Sequence, residues 1–288
     1  MAEISAAAVM KLRKMSGQGM MDCKKALQEA DGDIDQAMDS LRKKGLATLA
    51  KRAERETTEG LVVCKSSPDG KTSVLATLCC ETDFVAKSDD FVAMSQKLTD
   101  YALACSADQG AENILETVVD DKKFSDVLTE TVSKTGEKTE VGDYARYQLD
   151  GPGIISTYIH FNNKVGTMVQ IDTSDDNVAA ADVLKQTAND IAMHITATKP
   201  LALNKDEIDS EVIEREKSIF AEQVKNKPAN IIEKIVEGKM RKFFAENCLL
   251  DQPFVKDDSK SVAEVLADAA KQAGGEATIK RCVRFEVG

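Results

Sequence analysis

Residues 60–80, GLVVCKSSPDGKTSVLATLCC, carry apolar side chains in two short runs with a period of two, and that period decides what the rest of the chain must build. Leu61 to Cys64 and Val74 to Cys80 are rich in β-branched and aliphatic residues. Between them Pro68-Asp69-Gly70 supplies the preset φ and the adaptable glycine of a tight turn. The stretch reads as a β-hairpin. Two strands alone are marginal in water, so their apolar face needs cover. The segment FVAMSQKLTDYALA, 91–104, has helical spacing and can supply it.

The same order returns from Gly153. GIISTYIHFNNKVGTMVQI, 153–171, is a second hairpin turning at Asn162-Asn163, followed by the acidic turn DTSDD and the helical stretch NVAAADVLKQTANDIAMHITA, 177–197. Two copies of a hairpin-then-helix unit predict an α+β fold with a duplicated hairpin-plus-helices core. Pro200 ends the second long helix. DEIDSEVIEREKSIFAEQVKN and PANIIEKIVEGKMRKFFAEN then predict a helical-hairpin insertion at about 206–247, in which Ile208, Val212, Ile219 and Val224 face Ile231, Ile235 and Phe243. Such a hairpin either closes on itself, the expectation here, or pairs two copies of the chain as a homodimer. A last helix, SVAEVLADAAKQAGG, and a strand, ATIKRCVRFEVG, return the chain to the sheet.

Upstream of the first hairpin, residues 5–45 read as three short helices. The first stops at Ser16-Gly17, and the second spaces Met20, Cys23 and Leu27 at i, i+3, i+7. At least one of Met20 and Met21 is therefore expected in the small core. The third is capped by Asp33, presents Ile34, Ala37, Met38 and Leu41, and is expected to end at Gly45. So small a core is marginal, which suits a tethered binding module. The divisions expected are 1–55 for the module and its basic linker, 56–148 for the first core unit, and 149–288 for the second.

Charge narrows the function. The formal net charge of −11 speaks against a general nucleic-acid binder, because phosphate neutralisation needs surplus Lys and Arg. Residues 1–55 nevertheless carry 11 basic against 8 acidic side chains, concentrated in RKKGLATLAKRAER, which is either a solvated helix end or a docking surface for an acidic partner. Seven cysteines, an odd number, fit reduced thiols and a cytoplasmic location. Lys11, Arg13 and Lys14 follow the first apolar run instead of preceding it, the reverse of a signal peptide. No apolar segment has the ~20 residues a membrane helix requires.

Catalytic constellations are hard to assemble. His160 and His194 are the two histidines and lie on different elements, so neither a zinc set nor a Ser-His-Asp triad has enough members. Cys79-Cys80 lacks the spacing of a dithiol site, and adjacent strand residues point to opposite faces. No phosphate-binding glycine loop appears, so no nucleotide cofactor, metal or other cofactor is expected. A protein-binding role without catalysis is the reading that remains.

CCETDFVAKSDDF, 79–91, then stands out, because Phe84 sits in an acidic loop with no apolar neighbours in phase. Together with LRKMSGQGMMDCKKALQEADGDIDQAMDSLRKKG, 12–45, the stretch ETDFVAKSDDF closely resembles the signatures of the translation elongation factor Ts family. The likeness continues in IAMHITATKP, KIVEGKMRKF, QPFV and RFEVG. Members often continue beyond that ending into a tail.

The resemblance implies a guanine-nucleotide exchange factor for elongation factor Tu, binding it both GDP-bound and nucleotide-free, without contacting nucleic acid or membrane directly. It also implies that the N-terminal module is ubiquitin-associated-like. Phe84 would be a wedge beside Asp83, flanked by Thr82 and Val85, acting at the partner's magnesium and phosphate side. Met20, Met21 and Lys24 match the module's contact with the partner, and Arg52 stands where the family often has lysine. His160 and Val255 match contact positions on the core, although HFNNKVG departs from the glycine-rich turn frequent after that histidine. His194 reads as a satisfied core residue. Two other functions compete: a ubiquitin-like or nascent-chain-binding adaptor using the three-helix module, and a thiol oxidoreductase using Cys79-Cys80.

Overall fold

The computed structural model describes residues 4–288, so the first three residues of the expected N-terminal module lie outside the described residues. Three helices, α1 (Ala6–Ser16), α2 (Met20–Glu29) and α3 (Ile34–Lys51), enclose a small core of Val9, Leu12, Cys23, Leu27, Ala37 and Leu41. Ser5 caps α1 by accepting the Ala8 amide, and Gly17 closes it in the left-handed region.

The first core unit follows: strands β1 (Glu59–Ser66) and β2 (Thr72–Cys80), then helices α4 (Asp83–Ala86), α5 (Asp89–Ala104) and α6 (Ala111–Glu116). Two-residue strands β3 (Val118–Val119) and β4 (Lys122–Lys123), helix α7 (Phe124–Thr135) and strand β5 (Thr139–Gln148) complete it. The second unit repeats the plan with β6 (Gly153–Ile159), β7 (Val165–Thr173), α8 (Asp176–Ala180) and α9 (Asp182–Thr198). After it come the insertion helices α10 (Ser210–Glu222) and α11 (Ala229–Asn247), then β8 (Pro253–Phe254), β9 (Asp257–Ser261), α12 (Val262–Gln272) and β10 (Ala277–Glu286).

Each unit is an antiparallel three-stranded sheet whose central strand is the second of its hairpin: β1-β2-β5 in one, β10-β7-β6 in the other. The sheets pack face to face through Val62, Leu75, Ala145, Tyr147, Met168 and Val287. Helices cover the outer faces. Phe91, Met94, Leu98, Phe124 and Leu128 pack on Val63, Val74, Ala76 and Leu78, while α9 and α12 lie on Val169 and Ile171. A strand buried on both faces has no polar side, which is why β2 reads as a nearly continuous apolar run. Cys79 faces the other sheet and Cys80 faces the helices, as period two requires.

Four local expectations are revised and one strand is added. Gly45 does not end α3: the helix continues to Lys51, and Gly45 is where it crosses α7. A Cβ there would lie 2.7 Å from the Thr129 carbonyl oxygen. The module is accordingly docked on the core, not merely tethered. Ser133 Oγ donates to the Leu41 carbonyl (3.0 Å), and Arg42 pairs with Asp126. Second, both Met20 and Met21 are exposed, at 50% and 75%. Met20 is the first residue of α2, at the open end of the stripe, where Gln18 is buried instead.

Third, Thr82–Ala86 is a capped turn of helix, not an irregular loop. Fourth, the first sheet has a third strand, β5, that its sequence conceals because a register shift opposite Ala76 and Leu78 breaks the alternation. Fifth, the α10–α11 hairpin forms but does not close over its seam. No residue of α10 is buried, and Val212, Ile219 and Ile231 remain about 40% exposed beside a groove of about 800 Å³ that includes Val236, Met240 and Phe244.

Candidate functional site

The site is built around α4. Cys80 leaves β2 in the helix-facing layer, and Thr82, in extended conformation, caps the next turn by accepting the Val85 amide on its hydroxyl (3.4 Å). Val85 packs against the core and Ala86 is buried. With those two positions inward, a helical turn leaves Asp83 and Phe84 facing out. Phe84 is 82% exposed, an unusual state for a phenylalanine in an ordered turn. Asp83 lies beside it and accepts from Lys87 Nζ (2.7 Å); that bond is the main reason its carboxyl is held below the usual range.

Two further carboxylates hold this turn from behind. Glu137 accepts both the Thr82 amide (3.1 Å) and the Thr82 hydroxyl (2.8 Å). Glu81, its side chain only 10% exposed, accepts Arg52 Nη1 on both oxygens (2.7 Å each), Arg55 Nη1 (2.8 Å) and the Lys138 amide (2.7 Å). Burial raises the Glu81 carboxyl, but the Lys138 amide and the two guanidinium groups outweigh it and bring the carboxyl to about 2. Much of the basic segment after Leu41 is thus engaged internally: Arg42 with Asp126, Lys44 with Asp22, and Arg52 and Arg55 with Glu81.

The expected residues divide by location. Thr82, Asp83, Phe84 and Val85 share α4 and its cap, and Arg52 reaches them through Glu81. Met20, Met21 and Lys24 lie together and exposed at the start of α2. His160 begins the β6–β7 turn, half-buried, with Nδ1 3.3 Å from Tyr158 Oη. That turn adjoins β1, since Asn163 accepts the Val62 amide (2.7 Å). A groove of about 410 Å³ containing Leu61, Val63, Ala86, Lys87, Ile159 and Asn163 runs from it to α4. Val255 is 50% exposed on the β8–β9 turn, so its side chain is not core. Its amide donates to Nδ1 of buried His194 (3.2 Å), whose Nε2–H meets Gln252 Oε1 (2.9 Å). His194 is a satisfied core residue, and burial lowers its basicity.

Sequence reasoning missed Glu81, Glu137 and Phe161. Phe161 is 88% exposed and its ring lies tilted against His160, at 4.5 Å between ring centres. Its signal was the same as that of Phe84, an aromatic in a turn out of phase with any apolar stripe. The adjacent thiols show no sign of activation. Burial raises both, Cys80 to about 12, where a reactive cysteine needs a lowered value.

Comparison with known proteins gives the family. A family profile described as Elongation factor TS matches residues 81–288, beginning at the carboxylate that holds the α4 turn. The chain belongs to the elongation factor Ts family. Elongation factor Ts of a Nitratiruptor species is 44% identical over 287 residues, covering 99% of this chain and 93% of that protein. Elongation factor Ts of Nitratidesulfovibrio vulgaris is 39% identical, covering 99% and 96%, and that of Clostridium perfringens is 39% identical, covering 99% and 93%. The N-terminal module lies outside the profile match but inside these full-length likenesses. The role is that of a translation elongation factor, and among the described residues no helix is long and apolar enough to cross a membrane.

Proposed function

We propose that this protein is a guanine-nucleotide exchange factor: it binds elongation factor Tu, GDP-bound and nucleotide-free, and promotes GDP release in the cytoplasm without covalent chemistry of its own. The observation that carries this reading is Phe84, 82% exposed on a turn fixed from behind, with the Asp83 carboxylate beside it. An exchange factor has to bind the nucleotide-free partner more tightly than the loaded one, and by reciprocity the nucleotide then loses affinity by the same factor. A coupling of about 4 kcal/mol is roughly a thousandfold. Burying a phenylalanine in a partner pocket that opens only in the displaced state contributes about 2–3 kcal/mol of this. A neighbouring carboxylate that takes backbone N–H donors can compete with phosphate for the rest.

The test is release of fluorescent GDP from elongation factor Tu with substoichiometric protein, wild type against Phe84→Ala. We expect strong acceleration by the wild type and about a 30-fold loss in the variant, a factor worth about 2 kcal/mol. Equal rates would remove the wedge. The adaptor reading instead requires residues 1–55 to bind their ligand with the core dispensable, and the docking of α3 on α7 argues against it. Pairing of two copies through α10 and α11 is favoured by the half-exposed seam of Val212, Ile219 and Ile231.

A further inference from the structure

We propose that Glu81 is a positioning residue, and that Arg52 serves it inside the molecule instead of reaching for a partner: together they join the N-terminal module to the Phe84 turn so that the two act as one body. The inference rests on the exchange reading for its consequence, but not for its geometry.

The geometry is a junction of three chain segments at one carboxylate. Arg52 and Arg55 come from the stretch that follows α3, Glu81 from the residue just after β2, and the Lys138 amide from the residue just before β5. Lys138 Nζ also donates to the Arg55 carbonyl (3.1 Å), so the arginine segment is held at its backbone as well as its side chains. Both Glu81 oxygens are fully used, and the next residue along the chain, Thr82, is fixed by Glu137 and in turn caps α4. At its other side the module is docked on α7 through Gly45 and the Ser133–Leu41 bond. Two attachments fix an orientation where one would leave a hinge.

Stability alone is a poor reason for such a cluster. Taking a carboxylate and a guanidinium out of water costs much of what their attraction returns, and apolar replacements are often as stable. What ionic, directional bonds add is a defined relative position. Here they define it between Met20 and Met21 on the module and Phe84 on the core. If both contact one partner, a loose junction lets the module bind while the phenylalanine misses its pocket.

The experiment uses the full chain with Glu81→Gln, Arg52→Lys and Glu81→Gln combined with Phe84→Ala. Hydrogen exchange is read first, because it needs no partner. In Glu81→Gln, the amides of residues 84–87 and of Lys138 should exchange about tenfold faster, the order expected on weakening bonds to a charged group, while β2 and α5 stay unchanged. Unchanged exchange at those amides overturns the proposal.

Nucleotide release from elongation factor Tu is read second. Glu81→Gln should lower the maximal rate about tenfold with little change in the half-saturating concentration, whereas adding it to Phe84→Ala should cost less than about threefold more. Full multiplication of the two effects would show that Glu81 does not act through Phe84, and would also overturn it. Arg52→Lys, which keeps the charge but loses the fixed direction in which the guanidinium aims Nη1 at both oxygens, should fall between wild type and Glu81→Gln. Full activity in Arg52→Lys with the new amine freely modified would refute the internal role. Should Glu81→Gln fail to fold, Arg52→Gln leaves Glu81 with Arg55 and Lys138 and takes its place in both measurements. If wild type does not release nucleotide, the exchange-factor reading falls, and hydrogen exchange alone still decides the junction.

Discussion

Replacing Gly45 by alanine sets two known effects against each other, and the structure says which one wins. In an exposed helix interior the change stabilises by about 1 kcal/mol, because glycine is the poorer helix former. At Gly45 the new Cβ would stand 2.7 Å from the Thr129 carbonyl oxygen and 3.0 Å and 3.1 Å from Ser133 Oγ and Cβ. The nearest of these is backbone and cannot swing aside, so α3 has to retreat from α7. Overpacking of this kind costs about 1–3 kcal/mol, and weakening the Ser133–Leu41 hydrogen bond adds up to about 1. The net expectation is a loss centred on about 1.5 kcal/mol within a span of about 0–3, with faster proteolysis in the segment after Lys51.

Gly238, inside α11 with nothing within 4 Å of its would-be Cβ, is the control: Gly238→Ala should stabilise that helix by about 1 kcal/mol. Urea melts and limited trypsin digestion of both variants decide the matter. A gain in stability for Gly45→Ala equal to that for Gly238→Ala would refute the close crossing of α3 and α7, and with it the docked module.

Two more outcomes follow from side-chain environments. Cys79 and Cys80 should remain thiols at pH 8, since burial raises both and puts Cys80 at about 12. A thiol reagent should therefore label them slowly in the native protein, faster as pH rises, and rapidly once the chain is unfolded; labelling of either within seconds in the native state would restore the redox reading. If the half-exposed seam of α10 and α11 pairs two copies, sedimentation equilibrium should show a dimer that Ile219→Lys with Ile231→Lys converts to monomer, and a monomeric wild type would dispose of the pairing.

How much of this was legible depends on whether a residue's partners are close in sequence. The β1–β2 hairpin, the repeat of its order at Gly153 and the small core of the N-terminal helices are written in local periodicity, so they could be read directly. β5 was hidden because its register shift against β2 puts Val141 and Tyr144 out of simple alternation. Gly45 misled for a different reason. Glycine near a run of basic residues is a common helix end, and only the approach of α7, some eighty residues later in the chain, shows that it is a crossing point. Glu81 was illegible in the strongest sense. In a chain of 49 acidic residues any carboxylate can be paired on paper, and what distinguishes this one is convergence of Arg52, Arg55 and Lys138 from segments the sequence keeps apart.

The candidate site was legible by the opposite route, as a failure of pattern. Phe84 matches no stripe, and the turn explains why: the Thr82 cap sets the start of the helix, Val85 and Ala86 take the two inward directions, and the position before them has nowhere to point but solvent. Met20, Met21 and Phe161 are likewise exposed, Met20 in spite of its place in the stripe of α2. Exposed aromatic and methionine side chains on ordered backbone leave apolar surface in water without gaining packing, so the fold itself supplies no reason to keep them there. Under the proposed exchange role a partner that buries them does, and a junction that holds two of those sites at a constant separation then has value because one partner meets both. The internal use of Arg52 and the external reach of Phe84 are in that sense one design, the first fixing in space what the second presents.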